Sequence, residues 1–381
     1  MSAADPPGMD PPEVGEAPVE GHAKSPTDAP PVLLELLAAR GPSGYEGVPA
    51  AVWSAAAGEF AAVSTDVVGT PVAVVSPKEG FRSSPPRLMV IGHIDEIGLI
   101  VTHIDDDGYL WFRGVGGWDA QILIGQRVVI EARDGPVTGV VGKKPIHLLR
   151  DEERKKVPEL RELHIDIGAR DGDEACASVR IGDVAVIDAQ PASLPNGRIT
   201  ARALDNRIGA FVALQAARLV AEAGGGEWEL AAVAATQEEI TFGGSRTSAF
   251  ALAPDAAIVV DVTHATDAPG IDVKESGAHP LGSGPVLSRG STLNQELFEL
   301  LFEAAEAEQI PFTLEASARA TGTDADAVHL ARGGIPTALV SVPLRYMHSP
   351  VELVQLDDVD AAARLIAAAT LRLGSDRRFA A

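Results

Sequence analysis

Residues 228–244 read WELAAVAATQEEITFGG. A short apolar run leads into two adjacent carboxylates, Glu238 and Glu239, and two glycines follow. Such a continuous apolar run is typical of a strand buried on both faces. Buried carboxylates are costly unless they are paired or bind a metal, whereas a Glu-Glu pair at a solvated strand end is common. The rest of the chain has to decide between these two interpretations.

Strands and helices alternate on both sides of this stretch. Residues 205–223 (DNRIGAFVALQAARLVAEA) predict a helix, and residues 256–263 (AAIVVDVT) predict the next buried strand. Residues 71–76 and 87–95 predict two earlier strands, and residues 357–373 predict an amphipathic final helix. This alternation predicts an α/β fold, with a mostly parallel sheet covered by helices on both faces. In such sheets the active groups gather at the carboxyl ends of the strands.

A different texture occupies residues 99–190. Six short alternating segments are separated by turns rich in glycine and aspartate: LIVTHID, YLWFRGV, RVVIEA, VTGVVG, LHIDIGA and VAVIDA. They predict a small β-barrel-like domain inserted into the larger fold. The charged stretch 149–163, which interrupts them, predicts a solvated helix or loop. The catalytic domain is then residues 32–98 and 191–381, and residues 1–31, rich in proline, alanine and acids, predict a disordered tail.

The amino-acid composition limits which binding partners and which cellular compartment are expected. The 381 residues include 54 acidic and 31 basic side chains, a net charge of −23, which argues against nucleic acid or an anionic membrane as partner. No apolar run approaches the ~20 residues that span a bilayer, and the N-terminus lacks the pattern of a signal peptide. A single cysteine, Cys176, excludes an intrachain disulfide. We therefore expect a cytoplasmic protein.

Polar residues stand at the ends of several predicted elements. They are His93 and Asp95, Asp205, Glu238 and Glu239, Asp261, and His348. Alone, each has a plain interpretation, since a strand-end histidine is usually structural and an aspartate before a helix is usually an N-cap. Their shared location predicts a cluster whose nitrogen and oxygen donors suit Zn²⁺, Co²⁺ or Mn²⁺. Asp95, two residues from His93, lies on the same strand face and can hold its ring N–H.

Six motifs carry a resemblance to a known family. They are GHIDEIG (92–98), LDNRIGA (204–210), QEEITFGG (237–244), DVTHATDAPG (261–270), TGTDA (321–325) and RYMHSPVE (345–352). Their order and context resemble the glutamyl or tetrahedral aminopeptidases, di-metal exopeptidases of which some are also named endoglucanase M. The resemblance covers roughly residues 32–375.

The resemblance implies a role for each member of the cluster. Asp205 corresponds to the carboxylate that bridges two ions, and His93 and Asp261 to ligands of one ion. Glu239 and His348 correspond to ligands of the other ion, Glu238 to the general base, and Asp95 to the residue behind the first histidine. His264 is not a ligand in the family pattern, so it either lines the pocket or faces solvent.

The resemblance implies that the protein is a hydrolase that removes N-terminal residues from short peptides. Water activated by two divalent ions, zinc or cobalt, would attack the peptide with Glu238 as the general base. The inserted domain would make subunit contacts, and dimers would build a hollow dodecamer. Two alternatives stay open: a glycosidase using Glu238 and Glu239, and a non-catalytic assembly protein. The glycosidase leaves the histidines and aspartates unexplained, and aromatic residues, common in carbohydrate clefts, are only 4% of the chain.

Overall fold

The computed structural model describes residues 29–79 and 84–379. The α-helices are α1 (Pro31–Ala38), α2 (Gly47–Ala57), α3 (Ala120–Leu123), α4 (Asp151–Arg154), α5 (Gly172–Ser178), α6 (Leu204–Glu222), α7 (Glu238–Thr241), α8 (Gly243–Leu252), α9 (Val273–Ser276), α10 (Gln295–Ala307), α11 (Ala325–Val328) and α12 (Leu356–Leu371). The strands are β1 (Ala62–Thr65), β2 (Pro71–Val75), β3 (Arg87–His93), β4 (Gly98–Ile104), β5 (Leu110–Val115), β6 (Arg127–Ala132), β7 (Gly135–Gly142), β8 (His164–Asp166), β9 (Val184–Ile187), β10 (Ala192–Leu194), β11 (Arg198–Ala201), β12 (Glu229–Ala235), β13 (Ala256–His264), β14 (Val286–Gly290), β15 (Thr313–Ser317), β16 (Thr337–Arg345) and β17 (Glu352–Gln355).

The predicted N-terminal tail, residues 1–31, lies outside the described residues as far as residue 28. Residues 29–31, the last three of the predicted tail, are described and differ from the prediction. Ala29 is buried, and Pro31 is already the first residue of α1. Proline suits this position because the first turn of a helix does not need its N–H.

One large sheet forms the centre of the molecule. Its strand order is β1-β2-β12-β3-β13-β16-β17-β11-β10, with β14 and β15 joined to it through β16. The four central strands β12, β3, β13 and β16 are parallel, as the α/β prediction requires. Antiparallel strands extend the sheet on both sides, because the β1–β2 and β10–β11 connections are hairpins. The sheet is therefore mixed, with its parallel part confined to the centre.

Successive residues of the central strands point to opposite faces, and both faces are buried. Val90, Ala232 and Ile258 belong to a core shared with α1, α2, α6, α10 and α12. Ile91 and Val259 face the other way, into a second core with residues of α8 and α11. Because both faces are covered, the strands read as unbroken apolar runs, which is what made them recognisable in the sequence.

A closed barrel leaves the sheet directly after β3. Its strand order is β4-β5-β8-β7-β6-β9, and these strands are the six segments predicted from residues 99–190. The barrel has its own core, which includes Leu99, Phe112, Ile130 and Ile165. Together with the helix-covered sheet, it confirms the predicted fold class.

Two segments differ from the prediction. The two glycines of the ITFGG stretch (240–244) predict a loop, but the stretch is helical: α7 begins at Glu238, and α8 follows after Phe242, whose φ of 55° separates the two helices. Residues 323–333, TDADAVHLARG, predict one helix, but α11 is a single turn. The positive φ of Arg332 and the two glycines after it stop the helix from continuing. Within residues 29–79 and 84–379, no helix is long and apolar enough to cross a membrane.

Candidate active site

The parallel strands deliver the site residues to one edge of the sheet. His93 is the last residue of β3, and it lies opposite Ala235 at the end of β12. Glu238 and Glu239 follow three and four residues later, in the first turn of α7. Asp261 lies within β13 and is buried. This is the carboxyl edge of the sheet, where the sequence predicts the functional groups.

Close backbone packing adds Asp205 to this edge. A Cβ built on Gly92 would lie 2.3 Å from the carbonyl carbon of Gly209, so helix α6 rests directly on strand β3. The backbone of Asp205 and Asn206 departs from helical angles, and Asp205 makes no N-cap hydrogen bond. The plain N-cap interpretation of Asp205 is therefore wrong. Its side chain faces the site instead.

Three carboxylates surround His93. Its Nε2 lies 3.3 Å from Asp205 Oδ1, 3.7 Å from Glu238 Oε2 and 3.9 Å from Asp261 Oδ1. His93 is only 2% exposed. A buried imidazole facing three carboxylates is a ligand arrangement for a divalent cation.

A second group forms around His348, in the loop after β16. His348 Nε2 lies 3.3 Å from Asp205 Oδ2 and 3.3 Å from Glu239 Oε1. Asp205 thus directs one oxygen to each histidine. The group around His93 and the group around His348 therefore share the Asp205 carboxylate.

Two overlapping sets of donors could hold an ion. One contains His93, Asp205 and Glu239, and the other contains His93, Glu238 and Asp261, with the donor atoms of each set within 4.8 Å of one another. These sets differ from the two that the resemblance implies, because they share His93 and include Glu238. Glu238 lies as close to His93 Nε2 as Asp261 does, at 3.7 Å against 3.9 Å.

Asp95 anchors the turn that carries the two glutamates. Its carboxylate accepts hydrogen bonds from the backbone N–H groups of Glu238 (3.0 Å) and Glu239 (3.2 Å), and from the Ser43 hydroxyl. Its Oδ1 lies 3.4 Å from His93 Nδ1, behind the first histidine as expected. Asp95 thus fixes the Glu238–Glu239 turn as well as facing the imidazole.

Glu352, on strand β17, is a functional residue that the sequence reasoning missed. Its Oε2 accepts a hydrogen bond from the backbone N–H of Asp205 (3.0 Å), and its Oε1 accepts one from the backbone N–H of His348 (2.8 Å). The side chain is 2% exposed. Glu352 closes the RYMHSPVE motif, and its spacing of four from His348 was the only available signal.

Asp324, in the TGTDA motif, is a second residue without a predicted role. It is 1% exposed, and neither carboxylate oxygen has a hydrogen-bond partner among the described residues. Burial raises its pKa to about 6, although the charge of His93 opposes the shift. The signal was an aspartate inside a short Gly-Thr motif, which is equally typical of an ordinary turn.

The site holds more protons than its residue types suggest. Burial raises the pKa of Glu238 to about 10, and the charges of Asp261, Asp324 and Glu239 add to this effect. Hydrogen bonds to Asp205 and Glu239 raise the pKa of His348 to about 11. Excess negative charge is therefore balanced by protons, which a bound cation would displace.

A cavity of about 340 Å³ opens above these residues, the size of a small-molecule site. Its lining includes the clustered residues together with Val262, Thr263, His264, Glu315, Thr321, Gly322, Thr323 and Met347. His264 is thus both exposed and part of the cavity wall. The barrel reaches the same site, because a Cβ on Gly117 would lie 3.4 Å from His348 Nδ1.

Comparison with known proteins decides the family. Residues 73–365 match the M42 glutamyl aminopeptidase family. The chain belongs to the M42 glutamyl aminopeptidase family. It is 37% identical to a lysyl aminopeptidase of Pyrococcus furiosus over 288 residues, which cover 75% of this chain and 81% of that protein.

Solved structures of M42-like enzymes agree with this placement. A TET aminopeptidase from Thaumarchaeota archaeon SCGC AB-539-E09 matches with a TM-score of 0.84 and 36% identity, over 90% of this chain and 95% of that one. The Pyrococcus horikoshii TET1 peptidase, described as assembling into a tetrahedron or a large octahedral shell, matches with a TM-score of 0.78 and 28% identity over 90% and 99%. The expected aminopeptidase-family hydrolase is confirmed, and the glycosidase and non-catalytic alternatives are not favoured.

Proposed function

We propose that this M42 protein is a two-metal aminopeptidase that removes N-terminal residues from short peptides. The observation that carries the proposal is Asp205, whose two oxygens lie 3.3 Å from His93 and 3.3 Å from His348. A carboxylate placed between two imidazoles suits a bridging ligand. The donor set, buried and free of thiolate, fits zinc or cobalt.

The ligand roles follow from the geometry and the family resemblance together. His93 and Asp261 would hold one ion, Glu239 and His348 the other, and Asp205 both. Bound there, the two ions would activate a water molecule and polarise the peptide carbonyl.

Glu238 is the proposed general base. Its Oε2 faces the His93 side of the site, and its backbone N–H is fixed by Asp95. In this role its carboxylate takes a proton from the attacking water and passes it to the leaving amine. Burial raises the pKa of Glu238 in the metal-free site, and the charge of bound cations would lower it, so that the carboxylate can accept a proton.

A glycosidase mechanism has less support at this site. Its two carboxylates would have to flank a glycosidic bond. Glu238 and Glu239 are instead adjacent in one turn, and each faces a histidine. That mechanism leaves both imidazoles without a function.

Assembly is part of the proposal. The Pyrococcus horikoshii TET1 peptidase can assemble into a tetrahedron or a large octahedral shell. In this chain the connection between the barrel strands β7 and β8 exposes apolar side chains at Ile146, Leu148 and Val157. We propose residues 99–190 as the assembly domain, in dimers that build a dodecamer. Light scattering should then give a mass far above the 39.6 kDa of one chain, before and after removal of residues 1–28. A fully active monomer would contradict this part of the proposal.

The activity itself is tested with aminoacyl-p-nitroanilides and short peptides. We expect hydrolysis only from the N-terminus, loss of activity with EDTA, and recovery with Zn²⁺ or Co²⁺. Hydrolysis that resists EDTA, or cleavage of cellulose oligomers instead of peptides, would contradict it. The cytoplasmic location stays a prediction.

A further inference from the structure

The catalytic cavity contains one carboxylate that the proposed mechanism does not use. Glu315, on β15, lines the cavity together with the clustered site residues. The other four carboxylates in its wall are Asp205, Glu238, Glu239 and Asp261. Two divalent ions would balance the charge of those four, so Glu315 would keep an uncompensated negative charge in the space where the substrate binds.

No basic side chain neutralises Glu315 in the described part of the chain. Its hydrogen-bond partner is the Ser288 hydroxyl, at 3.3 Å, on the neighbouring strand β14. The ion pairs found in residues 29–79 and 84–379 do not include Glu315, and the cavity wall contains neither lysine nor arginine. Its side chain is only partly exposed, which makes an unpaired charge there more effective than one on the open surface.

The nearest titratable neighbour does not neutralise this charge either. His279 is close enough for Glu315 to affect its pKa, but burial is the larger influence and lowers that pKa. The imidazole is therefore neutral near pH 7. Its Nδ1 lies 2.7 Å from the Thr313 hydroxyl rather than facing Glu315. Besides His93 and His348 of the candidate metal site, the wall contains one imidazole, that of His264, which is exposed.

From this arrangement we infer that Glu315 selects peptides whose N-terminal residue is positively charged, lysine or arginine. The inference rests on the proposed aminopeptidase function. Met347 and Val262 give the cavity wall apolar surface for the methylene stem of such a side chain. The carboxylate would then bind the terminal ammonium or guanidinium group in a charge-assisted hydrogen bond. An N-terminal glutamate would meet repulsion instead.

The test compares lysyl, leucyl and glutamyl p-nitroanilides on wild type, Glu315→Gln and the control Glu303→Gln. Glu303 is an exposed carboxylate on α10, away from the cavity wall, so the control makes the same charge change. We expect Glu315→Gln to lower kcat/KM about tenfold to a hundredfold for the lysyl substrate only. The same variant should raise kcat/KM for the glutamyl substrate, and Glu303→Gln should leave kcat/KM unchanged for all three substrates.

Other outcomes overturn the inference. An equal loss on all three substrates means that Glu315 binds the α-amino group or only supports the fold, and an unchanged profile means that it has no role. Calorimetry on the metal-loaded protein adds a readout independent of turnover, because lysine should bind more tightly than norleucine and lose that advantage in Glu315→Gln. If no peptide is hydrolysed, the proposed function fails, whereas active enzyme without a lysine preference removes this inference alone.

Discussion

Asp95 and Glu352 are buried carboxylates that hold the active site from opposite sides. The Asp95 carboxylate accepts hydrogen bonds from the backbone N–H groups of Glu238 and Glu239, which are adjacent in one turn. The Glu352 carboxylate accepts hydrogen bonds from the backbone N–H groups of Asp205, at the start of a helix, and His348, in a distant loop. Asp95 also faces the His93 ring, whereas Glu352 is bonded to backbone only. Asp95 thus stabilises a single turn, whereas Glu352 holds together two segments that are far apart in the chain.

This difference separates two kinds of support. The Asp95 side positions Glu238, the proposed general base, as well as proposed ligands, so damage there should affect the chemical step. The Glu352 side positions Asp205 and His348, which are proposed as ligands only, so damage there should affect metal affinity. Variants on each side should therefore differ in whether added metal restores their activity.

The largest expected effect is that of Asp205→Ala, at the meeting point of the two sides. Asp205 faces both histidines, so its loss should prevent both ions from binding and abolish activity. His93→Ala or His348→Ala should each weaken mainly one ion. Metal analysis after dialysis measures the content of each protein. Two tightly bound ions in Asp205→Ala would contradict the bridging role.

Gly92→Ala should damage the fold itself, because α6 and β3 join the two sides here. The new Cβ would lie 2.3 Å and 2.6 Å from backbone atoms of Gly209 and Ala210, which cannot move aside as a side chain could. We expect a loss of at least about 3 kcal/mol in the free energy of unfolding, measured by urea denaturation. Gly47→Ala is the control, since its Cβ meets nothing within 4 Å. Equal stability of the two variants would show that the close contact is not needed.

Glu352→Gln and Asp95→Asn test the comparison directly. Each replaces one accepting oxygen by an NH₂ group, and such changes behind metal ligands typically cost ~10–100-fold in affinity or activity. Excess Zn²⁺ or Co²⁺ should restore Glu352→Gln, because its ligands are only displaced. Asp95→Asn should keep a lowered kcat at saturating metal, because Glu238 has lost its anchor. Full metal rescue of both variants, measured by titration of activity, would remove the distinction.

The smallest effect is proton release on metal loading. In the metal-free site the pKa of His348 is about 11 and that of Glu238 about 10, so both groups are protonated at pH 7 to 8. An ion needs the imidazole unprotonated, and its charge lowers the pKa of nearby carboxyls, so binding releases protons and tightens as pH rises. Calorimetry of Zn²⁺ binding in two buffers of different ionisation enthalpy counts those protons. A heat that does not depend on the buffer would contradict this charge balance.

The sequence was informative wherever a signal was local. The central strands and the six barrel strands are continuous or alternating patterns, and His93 stands at the end of one of them. Asp95 is two residues from His93 and lies behind the ring as expected, although β3 ends at His93 and strand geometry does not extend to Asp95. These features depend on neighbours in the chain, and a single sequence contains them.

Long-range features did not follow from the sequence. The role of Glu352 depends on β17 pairing with β11 and β16, which brings Glu352 to Asp205, 147 positions away in the chain. The anchoring function of Asp95 depends on the N–H groups of a turn from another strand. Glu315 reaches the cavity through the pairing of β14 with β15 and β16. The hydrophobic periodicity of the sequence gives no information about such long-range contacts.

Glu238 and Glu239 are adjacent in the chain, but we propose different functions for them, general base and metal ligand. A comparison of the variants Glu238→Gln and Glu239→Gln tests this difference. Each variant is measured for bound metal and for kcat with an aminoacyl-p-nitroanilide. Glu238→Gln should keep both ions and lose ~10²–10⁴-fold in rate, the usual loss for a general base. Glu239→Gln should lose or loosen one ion and regain activity in part with added Co²⁺ or Zn²⁺. Metal loss in Glu238→Gln with full metal in Glu239→Gln would reverse the roles, and two active, metal-replete variants would contradict the account.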